Sequence, residues 1–167
     1  MAGELLDRLR RRAPPAPDYH IEVITLPVSD VDLAVRFYTE RAGFILDVDY
    51  RPNRQFRVVQ FTPPGSSCSV QFGVGLTDAT PGSARTTYLV VTDIEAARRE
   101  LTGRGLAVSP IRHKTSVDDW QGDYSPGVDP ERRNYASFID FADPDGNTWT
   151  VQERGFTRTA STTSRRI

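Results

Sequence analysis

The chain has 167 residues, with 21 Lys and Arg against 22 Asp and Glu and a formal net charge of −1. That length suits one domain of ~100–200 residues with a self-sufficient core. The balanced charge gives no global electrostatic case for nucleic acid or an anionic membrane as partner. Cys68 is the single cysteine, which excludes an intrachain disulfide framework and a cysteine-cluster metal site. The only histidines are His20 and His113, so one chain cannot build a three-histidine site. No apolar run approaches the ~18 residues of a membrane span, and no secretory core follows the start. These features predict a soluble, cytoplasmic protein. Every basic residue except Lys114 is arginine, a bias that fits a GC-rich coding sequence better than a site.

In chain order, MAGELLDRLRRR places Leu5, Leu6 and Leu9 at helical spacing, and APPAPD then stops any helix. Residues 1–17 are therefore expected to form an appendage helix and a proline-rich linker. A folded domain is expected over 18–156, and the small polar residues of 157–167 predict a flexible tail. Within the domain the chain repeats itself. VSDVDLA at Val28–Ala34 returns as VTDIEAA at Val91–Ala97, an offset of 63 residues. Each copy follows an apolar strand, HIEVITLP or RTTYLVV. Each is expected to open a helix through a capping box, Ser29 with Asp32 and Thr92 with Glu95. Apolar stripes follow, Val31, Ala34, Phe37 and Tyr38 in one copy and Ile94, Ala97 and Leu101 in the other. Gly43 and Gly105 are placed to end the two helices in a left-handed conformation.

Three strand-like runs follow each helix: FILDVDY, RQFRVVQF and CSVQFGV, then GLAVSPI, YASFIDF and TWTVQE. The last two strands of each half are joined by PPGSS and DPDGN. The pattern predicts an α+β fold of two βαβββ modules, 18–76 and 84–156, joined by TDATPGSA. Their concave faces are expected to pair into a partly closed barrel around a central small-molecule cleft.

LPVSDVDLAVRFYTERAGF, VVTDIEAARRELTGRG and DPDGN before the final strand resemble the vicinal oxygen chelate superfamily of glyoxalases, bleomycin-resistance proteins and extradiol dioxygenases. The stretch PERRNYASFIDFADPDGNTWTVQE is similar to a glyoxalase-like bacterial subgroup with no established reaction. The resemblance spans Ile21 to Glu153. It implies four cavity-facing positions that in the family's enzymes hold a divalent metal through His and Glu. Carried onto this chain they are Val23, Gln71 (with Ser69 as the same-face alternative), Thr86 and Thr150. None carries an imidazole or carboxylate, so no metal and no other cofactor is expected. A one-residue slip would bring Glu22 into the first position but would turn every side chain of that strand over. The resemblance also implies a homodimer in many members, which closed two-fold symmetry and open sheet edges favour.

The expected ligand-binding set is Val23, Thr25, Gln71, Thr86, Tyr88, Trp120, Thr150 and Gln152. Trp120 belongs to an insertion, 112–134, that holds His113, Asp118, Asp119, Asp123 and Tyr124, and is either a lid or a solvated loop. His113 is the one candidate for acid–base work. His20 is expected to be exposed. Arg57 either grips a ligand carboxylate or pairs with a neighbouring acid, Cys68 packs under the helix, and Glu153 faces outward. The leading function is binding of a small aromatic or amphipathic molecule in a metal-free cleft between the modules, as in bleomycin-resistance proteins. The alternative is a lyase, isomerase or cyclase of the same superfamily, metal-independent or with a non-standard metal site.

Overall fold

The computed structural model describes residues 18–116, 118 and 121–157. The expected N-terminal helix and linker lie outside the described residues, as do Asp119, Trp120 and the tail beyond 157. The elements are β1 (Val23–Thr25), α1 (Val31–Arg36) running into a π-helical turn (Phe37–Arg41), β2 (Ile45–Tyr50), β3 (Arg57–Thr62), β4 (Ser69–Val74), β5 (Thr87–Val91), α2 (Ile94–Gly103), β6 (Arg112–Lys114), β7 (Tyr124–Pro126), β8 (Ser137–Ala142) and β9 (Thr148–Glu153). The strands make two sheets, ordered β1-β4-β3-β2 and β5-β9-β8-β6-β7. The opening strand of each sheet runs parallel to the closing strand of its own half, and the other pairs are antiparallel. The architecture is mixed α+β. Among the described residues no helix is long and apolar enough to cross a membrane.

Strand alternation decides the faces. Val59, Phe61, Val70 and Phe72 of the first sheet are buried, and so are Ile139, Phe141, Trp149 and Val151 of the second. All eight join one core with Ala34 and Tyr38 of the first helical segment and Ile94 of α2. Both sheets thus turn their helix-bearing faces to a shared interior, and their opposite faces lie outside it. The two sheets are not closed into a barrel in this chain. An aromatic cluster explains why: Tyr38 packs its ring 5.6, 5.5 and 6.1 Å from those of Phe44, Phe72 and Trp149, and Phe141 stacks on Trp149 at 5.9 Å.

The turn Asp143–Asn147 joins the two halves. Asp143 Oδ1 accepts the N–H groups of Asp145, Gly146 and Asn147 at 3.0, 3.0 and 2.9 Å. Its Oδ2 accepts the Tyr38 hydroxyl at 3.0 Å and the Asn147 amide at 2.7 Å. The Tyr38 oxygen in turn accepts Trp149 Nε1–H at 3.2 Å. Asn147 also donates to the Pro27 carbonyl at 2.9 Å and accepts the Ala84 N–H at 3.1 Å. Burial and the adjacent Asp143 carboxylate push the Tyr38 phenol far above its ordinary range, so it stays a neutral donor.

Three expectations need correction. The helix caps are Asp30 and Asp93, one residue later than expected, accepting the N–H groups of Leu33 and Ala96 at 2.9 Å. An ionised carboxylate is the stronger cap acceptor, and Ser29 is instead held by Asp145, to which its hydroxyl donates at 2.5 Å. GLAVSPI forms no strand; Pro110 lacks the N–H that would continue the ladder. The third strand of that half is β6, paired with β8, and the insertion adds β7 at the edge. Glu153 is fully buried rather than outward, because its Oε1 accepts the Ile94 N–H at 3.0 Å and Arg132 at 2.7 Å. Gly43 and Gly105 do take positive φ, 71° and 79°. Gly105 has a second constraint: a Cβ there would lie 1.9 Å from the Arg41 guanidinium.

Arg57 settles between two acids, meeting Asp32 at 2.6 Å and Asp49 at 2.8 Å. Its hydrogen bonds and charge hold both carboxyls below their ordinary value, and Arg133 does the same to buried Asp129.

Replacing Asn147 with Ala leaves the Pro27 carbonyl and Ala84 N–H without their partner. It should cost about 2–4 kcal/mol in a urea melt; a loss below ~1 kcal/mol would show that this turn is not the joint. The lowered carboxyls give a second expectation. Because their folded pKa values lie below the unfolded ones, these ion pairs stabilise fully above the ordinary Asp value of ~3.9 and lose that contribution as pH falls through the folded values. Arg57→Met should flatten the fall of stability below pH ~4, and an unchanged acid limb would refute the assignment.

Candidate functional site

The open face of the second sheet is hollowed into a cavity of about 580 Å³. Alternation along β9 sends Trp149 and Val151 to the core and Thr150 and Gln152 to this face. β8 adds Phe138 and Asp140, β5 adds Tyr88, and the β6–β7 hairpin adds Arg112 and Tyr124. Thr86 lines one end with φ 58°, a left-handed conformation that strains a β-branched residue, and its N–H donates to Thr148 Oγ1 at 2.7 Å.

A polar pair occupies the middle. Asp140 lies opposite Thr150 in the β8–β9 register and accepts its hydroxyl at 2.8 Å. Arg112 pairs with both Asp140 oxygens, through Nη1 to one and Nη2 at 3.3 Å to the other. The same guanidinium lies 4.9 Å from the Tyr124 ring centre and 5.7 Å from that of Phe138. Those two rings meet edge-on at 86°. The cavity therefore combines aromatic area, hydroxyl groups and one matched charge pair.

Of the residues singled out from sequence, Thr86, Tyr88, Thr150 and Gln152 come together here. Val23, Thr25 and Gln71 lie on the first sheet and do not line this cavity; Gln71 donates to Thr25 Oγ1 at 2.9 Å. Trp120 is outside the described residues. His113 follows Arg112 on β6 and by alternation points to the opposite face, where Nδ1 lies 3.0 Å from the Gly127 carbonyl. His20 is exposed and Cys68 half-buried. Sequence reasoning missed Arg112, Phe138 and Asp140. The signal for the last two was available, since they alternate with Ile139 and Phe141 in YASFIDF. Arg112 was hidden because its strand lies in what reads as a loop. A second groove, about 660 Å³, runs between the halves past Phe44, Pro64, Leu89 and Leu101, with Ser66, Glu100 and Arg154 also in its lining.

Residues 20–151 match the family model described as the Glyoxalase/Bleomycin resistance protein/Dioxygenase superfamily. The chain belongs to that superfamily. The solved structure of TnmS3, an antibiotic binding protein from Streptomyces sp. CB03234, is 29% identical with a TM-score of 0.61, covering 81% of this chain and 96% of that one. A glyoxalase/bleomycin resistance protein from the same Streptomyces is 28% identical with a TM-score of 0.59, covering 80% and 100%. A superfamily member from Sphaerobacter thermophilus is 26% identical with a TM-score of 0.58, covering 82% and 98%. No curated protein matches significantly.

The superfamily's metal does not fit the residues present. Val23 has no donor atom. The Gln71 amide donates to Thr25 and the Thr150 hydroxyl to Asp140. Thr86 offers one hydroxyl, and a transition-metal site normally needs about three ligands drawn from His, Cys or carboxylate. Among the described residues no group of three or more such side chains could hold an ion. Elemental analysis of freshly purified protein should accordingly find zinc, nickel, manganese and iron well below stoichiometric, and a chelator should leave the melting temperature unchanged. One equivalent of metal whose removal destabilises the protein would overturn this.

Proposed function

We propose that this superfamily member is a metal-independent binding protein for a small aromatic or amphipathic molecule, held against the open face of the second sheet. The observation that carries the reading is the cavity's makeup. Tyr88, Tyr124 and Phe138 offer apolar area, hydroxyl and amide groups are spaced between them, and the one carboxylate among the described lining residues, Asp140, is already matched by Arg112 and Thr150. A carboxylate so paired is a poor general base, and His113 faces away, so nothing here favours the lyase, isomerase or cyclase alternative. The likeness to an antibiotic binding protein supports the same class.

The binding unit is a homodimer. The cavity is open on one side, with Tyr88, Val90 and Tyr124 exposed by 56%, 52% and 46% at or near its rim. The first sheet's outer face, which carries Val23, Thr25 and Gln71, also exposes Ile45, Val48 and Tyr50; each of these is in register with Thr62, Gln60 or Val58 and so shares that face. A two-fold axis would set the first sheet of each copy over the second sheet of the other and close both sites at once. Residues expected to share one cleft would then meet across two chains.

Light scattering should give about twice 18.7 kDa. A thermal-stabilisation screen of planar aromatic compounds should give hits recovered chemically unchanged. Tyr88→Glu should yield monomer and lose those hits together. Consumption of a hit would return the protein to the enzymes, and a Tyr88→Glu monomer with intact binding would separate the site from the dimer.

A further inference from the structure

Among the described residues the cavity lining has two charged groups, Arg112 and Asp140, and they are not equally committed. Asp140 takes the Thr150 hydroxyl on one oxygen and a guanidinium nitrogen on each. Its charge is matched, and three of its roughly four acceptor positions are taken, with the side chain 37% exposed. Arg112 gives Asp140 one N–H from each terminal nitrogen. Its remaining N–H groups have no acceptor among the described residues, and its side chain is 30% exposed to the cavity. Asp140 fixes the guanidinium from one side, and Tyr124 and Phe138 crowd it from the ring side. A flexible surface arginine loses rotamer freedom when it binds a ligand; this one is already ordered, so its free donors are preorganised.

We propose that Arg112 is the ligand-anchoring cation of this cavity, and that its ligand is a planar aromatic molecule bearing a carboxylate, phenolate or carbonyl oxygen beside the ring. The inference rests on the binding reading above and adds the ligand's chemistry. Three features point the same way. Rings at Tyr88, Tyr124 and Phe138 favour a flat apolar body. The spare N–H groups require an acceptor, since a ligand that covers them without accepting leaves desolvated donors unpaired. An ammonium group is disfavoured, because it would meet the Arg112 charge while finding Asp140 already neutralised. A fixed guanidinium thus does electrostatically what a bound cation would do, without needing the metal ligands this chain lacks.

Calorimetric titration with three naphthalene probes of one shape tests it: 2-naphthoate, 2-acetylnaphthalene and 2-naphthylmethylammonium. Wild-type protein should bind the naphthoate most tightly, the ketone next and the ammonium least. Arg112→Met, which keeps much of the stem, should weaken the naphthoate about 10- to 100-fold. Arg112→Lys should recover only part of that, because lysine cannot offer the planar fork. The ammonium probe should change little in either variant. Tightest binding of the ammonium, or a naphthoate affinity unmoved by Arg112→Met, overturns the anchoring role and leaves the binding reading standing. Failure of all three probes to bind wild-type protein at millimolar concentration overturns both. The wild-type ranking alone decides the matter if the variants do not fold.

Discussion

The structure depends on one buried carboxylate. Asp143 holds the backbone of its own turn through one oxygen and reaches Tyr38 in the other half through the second. Asn147 extends the joint to Pro27 and Ala84, and Asp145 to Ser29. A buried carboxylate survives when most of its lone pairs are filled, and here they are. The joint fixes which faces meet. With Tyr38 tied to Asp143 and Trp149, the helix-bearing side of each sheet is committed to the shared core, and the other sides must remain outside it. Where the cavity lies is thus settled by the turn between β8 and β9, whose flanking residues Ala142 and Thr148 line it.

Much of this was legible in the sequence and some was not, for definite physical reasons. The 63-residue repeat disclosed two helices each embedded in strands, because capping, apolar stripe and terminal glycine recur together. The caps themselves were misplaced by one residue: Ser-Asp and Thr-Asp each offer two good acceptors, and only tertiary partners choose between them. Glu153 is out of phase with Thr150, which suggested an outward face, but that face, with Trp149 and Val151, is the one turned to the core. Its partners, the start of α2 and Arg132, are distant in sequence. DPDGN read as a hairpin turn and is one, but its long-range bonds are invisible to local pattern. Thr86 and Thr150 followed from the positions the family resemblance implies, and Gln152 shares the face of Thr150 by alternation. Phe138 and Asp140 were readable by the same alternation in YASFIDF, whereas Arg112 was hidden because β6 begins two residues after Pro110, in a stretch too charged to suggest a strand.

The insertion is bound in more than one place. Arg132 adopts φ 54° and joins Glu153, Glu95 and Asp93 at 2.7, 2.9 and 3.6 Å. Asp129, fully buried, holds Arg133 at 2.6 Å, and Lys114 donates to the Gly122 carbonyl at 3.0 Å. These contacts make the hairpin an extension of the sheet, so the guanidinium it carries is positioned by regular structure.

The hairpin's attachment also separates two demands on the sequence. β6 meets β8 through two residue pairs, while the core and the joint between halves draw on none of its cavity-facing side chains. Changes at Arg112 or Tyr124 can therefore alter what the cavity accepts with little penalty in folding, whereas changes at Asp143 or Tyr38 cannot. A scaffold divided in this way lets related chains diversify in ligand choice while inheriting an unchanged foundation.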